Sequence, residues 1–297
     1  MTMVTTENLS TIEKQVWTWR NYKIQYTVMG VGQPLVLVHG FGASIGHWRK
    51  NIPILAEAGY QVFALDLLGF GGSEKADLKY SMEVWVELLR DFYHEHIQSP
   101  TIFIGNSIGA LLSLMVVTQH PEIASGAVLI NSAGGLNHRP RELNPITRFL
   151  MATFRQLVTN PITGTVVFNR VRTKSQIRRT LYQVYCDRNA VTDELVDILY
   201  EPSCDRGARK VFASIVTAPP GPAPITLLPK LTHPLLVLWG EKDPWIPITG
   251  TNIYAEAANS GKDIEIVPIP NAGHCPHDEV PDLVNRVIID WLGKKNL

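Results

Sequence analysis

The chain has only three cysteines, Cys186, Cys204 and Cys275, an odd number whose spacing matches neither a disulfide framework nor a metal knuckle. They read as reduced thiols of a cytoplasmic protein. Neither sign of charge is in excess: 27 Lys and Arg balance 27 Asp and Glu, so no global field points to nucleic acid or to a strongly acidic partner. Long hydrophobic runs are missing too. The densest, 108–117, is too short to span a bilayer and suits a buried helix. The opening MTMVTTENLSTIEK lacks the apolar core of a signal peptide and carries Glu7 and Glu13. There is no H-E-x-x-H and no Cys/His grouping at ligand spacing, so no metal is expected. The glycine-rich segments match neither nucleotide-binding fingerprint, and no repeat or low-complexity tract is present.

What the chain does have is 45% hydrophobic residues over 297 positions, enough for one large core with an insertion. Residues 17–20 and 22–29 predict two antiparallel strands. Continuous apolar runs at 34–38, 61–65, 101–104 and 127–130 have the pattern of parallel strands covered on both faces. Helices are expected between them at 44–58, 82–97 and 107–119, the last stopped by His120-Pro121. This alternation predicts an α/β fold, a mostly parallel sheet with helices on both faces. From 134 to 231 helical stretches continue without a buried strand, ending in TAPPGPAPITLLP. That region reads as an inserted helical cap returning through a stiff, extended connector. Strands resume at 235–239 and 264–268, and a last helix starts with Pro281 in its first turn. The expected division is a core of 1–133 and 232–297 with a cap of 134–231.

The sharpest chemical signal is Gly105-Asn106-Ser107-Ile108-Gly109, between the apolar run TIFI and the helical run IGALLSLMVV. G-x-S-x-G at a strand-to-helix junction is the nucleophile elbow of the α/β-hydrolase fold. It lifts Ser107 to a helix N-terminus, where partial positive charge favours a developing anion. Serine needs a base and an acid that orients the base, and in this fold the order along the chain is Ser, Asp or Glu, then His. Asp243, in the loop GEKDPW, and His274, in the loop NAGHCPH, fall where that order requires. Taken singly, they would be a turn aspartate and a loop histidine; together with the elbow they predict a catalytic triad. Some hydrolases of this fold carry the acid after the sixth strand, but here that segment is Asn131-Ser132-Ala133, without a carboxylate.

Other candidates fit less well. Asp278 and Glu279 lie close to His274 and look like helix-start residues, and His277 lacks the preceding Ala-Gly turn. His94 and His96 read as surface residues, His47 as packing or capping. The loop His39-Gly40-Phe41-Gly42 follows a buried strand in the position that supplies one oxyanion N–H. The expected donors are the backbone N–H groups of Phe41 and Ile108.

The neutral total hides a local imbalance. Between 138 and 180, nine cations (Arg139, Arg141, Arg148, Arg155, Arg170, Arg172, Lys174, Arg178, Arg179) face one acid, Glu142. Phe149, Leu150 and Phe154 recur among them at helical spacing. Such a helix either covers an apolar pocket and meets an anionic membrane, or is an ordinary cap helix with a solvated basic face. On the first reading those three residues form the substrate surface.

The blocks LVHGFGASIGHWRKNIP, ALDLLGFGGSEKA, GNSIGALLSL, LINSAGG, LLVLWGEKDPW and AGHCPHDEVPDLVN together resemble the chlorophyll dephytylases and pheophytinases. The similarity covers about two thirds of the chain and fades in the cap. It implies a cofactor-free serine esterase that hydrolyses the phytyl ester of chlorophyll or a related pigment, with Ser107, Asp243 and His274 as its triad. It also implies a small-molecule apolar ester as partner, and work at a photosynthetic membrane reached from the cytoplasm. Ala110 departs from the family, where a second glycine commonly follows the elbow. Two alternatives stay open. One is a carbon–carbon hydrolase of meta-cleavage products, which an inward-pointing carboxylate-binding arginine would favour. The other is a ligand-binding protein that keeps the fold with little turnover. Haloalkane dehalogenases and epoxide hydrolases need aspartate where Ser107 stands.

Overall fold

The computed structural model describes residues 12–137 and 144–297. Arg139, Arg141 and Glu142, counted above in the basic stretch, lie outside them. Eight strands form one sheet: β1 Gln15–Trp19, β2 Tyr22–Met29, β3 Gln33–Val38, β4 Tyr60–Leu65, β5 Thr101–Asn106, β6 Ala124–Ile130, β7 Leu235–Gly240 and β8 Ile264–Ile269. Their spatial order is β1-β2-β4-β3-β5-β6-β7-β8. β1 pairs antiparallel with β2, and β2 with β4; every later pairing is parallel.

The uninterrupted apolar strands are explained by two separate cores. In β3, Val36 and Val38 face the layer built on Trp85, Phe92 and Leu111. Leu35 and Leu37 face the opposite layer, with Trp48, Ile288 and Trp291. A strand covered on both faces has no position left for a polar residue, so period-two alternation disappears.

Helices α1 (Ile52–Glu57), α2 (Met82–His96), α3 (Ile108–Gln119), α10 (Asn252–Asn259), α11 (Pro276–Glu279) and α12 (Pro281–Lys295) belong to the sheet domain. Between β6 and β7 the described chain forms α4 (Pro145–Thr159), α5 (Pro161–Val171), α6 (Lys174–Val184), α7 (Asp193–Tyr200), α8 (Ala208–Thr217) and α9 (Pro224–Leu227). Local chemistry sets their starts. Asn144, Asn160, Thr173 and Thr192 each accept a backbone N–H from the first turn of α4, α5, α6 and α7. Pro145 and Pro161 occupy N1, where no donor is lost.

Three local expectations are corrected. The helix expected over 44–58 is broken: Ile45–Trp48 is a 3₁₀ turn and α1 begins only at Ile52. Pro53 is the reason, since proline is tolerated in a first turn and not in a helix interior. The proline-rich connector is not wholly extended, because Pro224 opens α9 and a 3₁₀ turn follows at Leu228–Lys230. His96 is half-buried, its ring packed against Trp17, Tyr26 and Phe92 at 4.6–5.2 Å between centroids, while His94 is exposed as expected.

Candidate active site

β5 delivers Ser107 into the turn that opens α3. Ser107 adopts φ 57° and ψ −118°, a conformation a side-chain-bearing residue holds only under constraint. The constraint comes from both sides of the turn. A Cβ on Gly105 would stand 2.1 Å from the Gly109 carbonyl oxygen, and one on Gly109 would stand 2.1 Å from that of Val38. The elbow is therefore wedged against β3 with no room for a methyl at either glycine. Ala110, where the family resemblance implies glycine, is fully buried.

Asp243 follows β7 and His274 follows β8. His274 Nδ1 and Asp243 Oδ2 are 2.7 Å apart, both residues buried. Asp243 is held from four directions. Its Oδ1 accepts the N–H groups of Trp245 (2.8 Å) and Ile246 (3.1 Å), and its Oδ2 accepts Asn131 Nδ2 at 2.7 Å besides the imidazole. Burial alone would raise its pKa. The bonds from His274, Ile246 and Asn131 outweigh that effect, so the carboxyl sits below its ordinary value and stays ionised. Asn131 is fixed in turn, with φ 45° and its Oδ1 accepting the Gly240 N–H at 3.0 Å.

Ser107 and His274 line one cavity of about 350 Å³, within the ordinary range of small-molecule sites. Gly40 and Phe41 lie on its wall. A Cβ on Gly40 would stand 3.4 Å from the Ser107 Cβ, so the β3 loop passes directly beside the hydroxyl. Backbone hydrogen bonds within the elbow use the N–H groups of Ser107, Ala110 and Leu111. Those of Phe41 and Ile108 have no protein acceptor among the described residues, as donors aimed at a substrate oxygen require. His39 braces the same loop: Nδ1 bonds the Gly40 carbonyl at 2.8 Å and Nε2 accepts the Leu67 N–H at 3.0 Å, which fixes a neutral tautomer. Burial lowers its pKa accordingly.

Much of the remaining lining is apolar and comes from the cap: Phe168 and Val171 of α5, Leu181 of α6, Val211, Phe212 and Ile215 of α8. The residues expected to supply it do not. Phe149, Leu150 and Phe154 are absent from the lining and stand exposed on the outer side of α4. Arg172 is the cap cation that does reach the cavity wall, tied to Asn169 Oδ1 (2.9 Å) and the Ser203 carbonyl (3.3 Å).

Sequence reading also missed a buried polar cluster behind the site. The Tyr185 hydroxyl donates to Asp278 Oδ2 at 2.9 Å and accepts from His47 Nε2 at 2.9 Å. Arg49 reaches Asp278 Oδ1 at 2.7 Å and Lys50 the same oxygen at 3.2 Å. Glu279 accepts the N–H groups of Cys186, Asp187 and Gly273. Asp278 and Glu279, expected to be helix-start residues, instead close the four-residue α11, which Pro276 opens, and they bind the cap to the loop of His274. His277 is fully buried against Trp48, with no hydrogen-bond partner on either nitrogen. The only sequence signal for any of this was the density of charged and histidine residues in HCPHDE. Among the described residues no group of His, Cys, Asp and Glu is arranged to hold a metal ion.

Residues 35–287 match the Alpha/beta hydrolase family. The chain is 27% identical to a chloroplastic pheophytinase of Arabidopsis thaliana over 304 aligned positions, covering 87% of this chain and 61% of that protein. It is 32% identical to a 2-hydroxymuconate semialdehyde hydrolase of Pseudomonas sp. (strain CF600), covering 74% of this chain and 73% of the relative. Among solved structures, a serine hydrolase involved in carbazole degradation superposes with TM-score 0.76 at 24% identity, over 95% of this chain and 98% of the other. A bacterial membrane phospholipase A superposes with TM-score 0.77 at 24% identity, over 97% and 88%. These two likenesses establish the shared fold.

Proposed function

The chain belongs to the Alpha/beta hydrolase family and is a hydrolase, and from that premise we propose that it is a serine esterase acting on esters of long apolar alcohols, the phytyl ester of chlorophyll or a related pigment first among them. The observation that carries this reading is the pairing of a held Asp243–His274 dyad with Ser107 at the head of a cavity whose far walls are apolar cap residues. With Nδ1–H directed to Asp243, the His274 Nε2 is left to take the Ser107 proton as Oγ attacks the ester carbonyl. The N–H groups of Phe41 and Ile108 receive the oxyanion. His274 then returns the proton to the leaving alcohol, and water, activated by the same imidazole, releases the acid. A phytyl chain interacts only through apolar contact, each buried CH₂ contributing about 0.8 kcal/mol. Phe168, Val211, Phe212 and Ile215 suit that task.

One observation favours a second reading. Arg172 on the cavity wall is the kind of residue that binds the carboxylate of a meta-cleavage product, the substrate class of the 2-hydroxymuconate semialdehyde hydrolase to which the chain is similar. Purified protein incubated with chlorophyll a, its metal-free form, a short nitrophenyl ester and a meta-cleavage dienoate separates the two. Phytol release abolished by Ser107→Ala supports the esterase. Rapid bleaching of the dienoate, lost in Arg172→Leu, with no phytol formed, replaces it with the carbon–carbon hydrolase.

A further inference from the structure

The apolar stripe of α4 does not line the cavity, and among the described residues nothing covers it. Ile146, Phe149 and Leu150 are 75%, 70% and 60% exposed, and Leu157, two turns on from Leu150, continues the row. On the adjoining α5, Ile162 and Val166 are 78% and 68% exposed. α4 and α5 lie against each other, so these six exposed side chains are carried on one pair of packed helices. A patch of this kind on an otherwise well-buried protein marks a surface that meets something apolar.

Charge identifies the occupant. From 144 to 186 there is not one Asp or Glu, while Arg148, Arg155, Arg170, Arg172, Lys174, Arg178 and Arg179 all fall in that span. α7 supplies acids to two of them, Asp197 to Lys174 and Asp193 to Arg178. Arg170, on α5 itself, and Arg179, on the neighbouring α6, stand exposed. Bulky apolar side chains ringed by cations are the complement of a bilayer interface, where acyl chains lie under anionic headgroups. A protein partner with an apolar groove would not call for an acid-free rim of this length. The face also runs to the cavity: Val171, at the end of α5, is both exposed and part of the cavity lining.

We propose that the α4–α5 face docks the protein peripherally on an anionic lipid surface, with the cap cavity opening toward the acyl layer. The docked state needs no membrane-crossing segment, and no described helix is long and apolar enough to be one. The proposal stands apart from the hydrolytic reading, because its test measures binding and not turnover.

The test is flotation of the full chain with vesicles of phosphatidylcholine alone and of phosphatidylcholine mixed with phosphatidylglycerol, at low salt and at 1 M salt, where the screening length falls to about 3 Å. The wild type should float with the mixed vesicles at low salt and far less with phosphatidylcholine. Phe149→Ser with Leu150→Ser should lower the partition coefficient roughly tenfold or more at either salt concentration. Arg170→Gln with Arg179→Gln should weaken binding at low salt and change little at 1 M. Both pairs are exposed, so unaltered melting and unaltered hydrolysis of a short soluble ester confirm that folding is intact. Failure of the wild type to float with either vesicle overturns the proposal, as does equal binding by the Phe149/Leu150 variant. Sedimentation equilibrium covers the remaining occupant: a dimer dissolved by Phe149→Ser and Leu150→Ser, without vesicle binding, would assign the face to a second copy of the chain.

Discussion

The backbone N–H of His274 donates to the carbonyl of Val184 at 2.8 Å. Val184 ends α6, so the residue placed to act as base is suspended from the cap as well as from the sheet. Gly273 permits the approach, since a Cβ there would stand 2.1 Å from the same carbonyl oxygen. Glu279 closes the joint by gathering N–H groups from both sides, Cys186 and Asp187 from the cap and Gly273 from the loop. Cap position and imidazole position are one mechanical variable.

Glu279→Ala should therefore lower kcat even for a short nitrophenyl ester that never touches the cap walls. Three backbone donors lose their acceptor; that of Gly273 is buried, and a buried orphan costs about 1–3 kcal/mol before relaxation. The expected result is a lower melting temperature with at least a tenfold fall in kcat. Glu279→Gln, which keeps an acceptor oxygen, should recover part of both. Wild-type kcat in Glu279→Ala would show that the cap joint does not set the geometry of the base.

Ser107→Ala should reduce ester turnover by roughly 10⁴-fold or more, the scale found when serine hydrolases lose their nucleophile. Removing a hydroxyl from a residue at φ 57° leaves the elbow contacts in place. Circular dichroism and melting should match the wild type. Retention of a tenth of the activity would remove Ser107 from its assigned role.

Asn131→Ala deletes one of the four donors on Asp243. A hydrogen bond to a charged group contributes about 1.5–3 kcal/mol. Loss of that donor pushes the Asp243 carboxyl upward, so the protonated form that cannot hold the imidazolium appears at higher pH. Activity should fall about tenfold at neutral pH, with the acid limb of the kcat/KM profile moved to higher pH. A profile that keeps its midpoint while kcat drops would mean that Asn131 only supports the loop.

Stability should fall steeply under mild acid. Burial lowers the pKa of His39, His47 (to about 4) and His277 (well below the usual value). An unfolded histidine takes up its proton near pH ~6.5. Between that pH and the folded values the unfolded chain binds protons that the native chain refuses. Each such group removes about 1.4 kcal/mol per pH unit as pH falls. Denaturant melts at pH 7.5, 6 and 5 measure the slope. His277→Leu should flatten it by about one proton and hold or raise stability at pH 7.5, because both ring nitrogens are buried without partners. An unchanged slope would show that His277 titrates in the native state.

The strands and the elbow were legible because their causes are local. Continuous apolar runs follow from two-sided burial, and Gly105 is forced by the backbone of Gly109 only four residues on, although Gly109 itself meets the distant Val38 carbonyl. Asp243 and His274 were legible through chain order. The cap was not. An amphipathic helix such as α4 announces an apolar stripe but not the direction in which it faces. Phe149, Leu150 and Phe154 read as pocket residues, yet α5 and α8 fill that role with Phe168, Val211 and Phe212. Asn131 was passed over for lacking a carboxylate, and its part as a donor depends on β6 lying beside β7. Tyr185, Asp278 and Glu279 meet across more than ninety positions, beyond the reach of any spacing rule.

Asn131 and Asp243 bear on how such a site could change over time. The two side chains meet at one carboxylate oxygen, on neighbouring strand ends, 2.7 Å apart, and that oxygen also receives the imidazole. Exchanging their amide and carboxyl groups would leave the charge and composition of the pair unaltered. The intermediate, Asn131→Asp alone, would carry two carboxyls in contact, which accommodate each other by sharing a proton. Relocating the acid from one strand end to the other is thus a two-step walk with no step that empties the position. Which strand carries the acid is then an accident of descent, and a column of aligned sequences showing no carboxylate at that place is no sign of a dead enzyme.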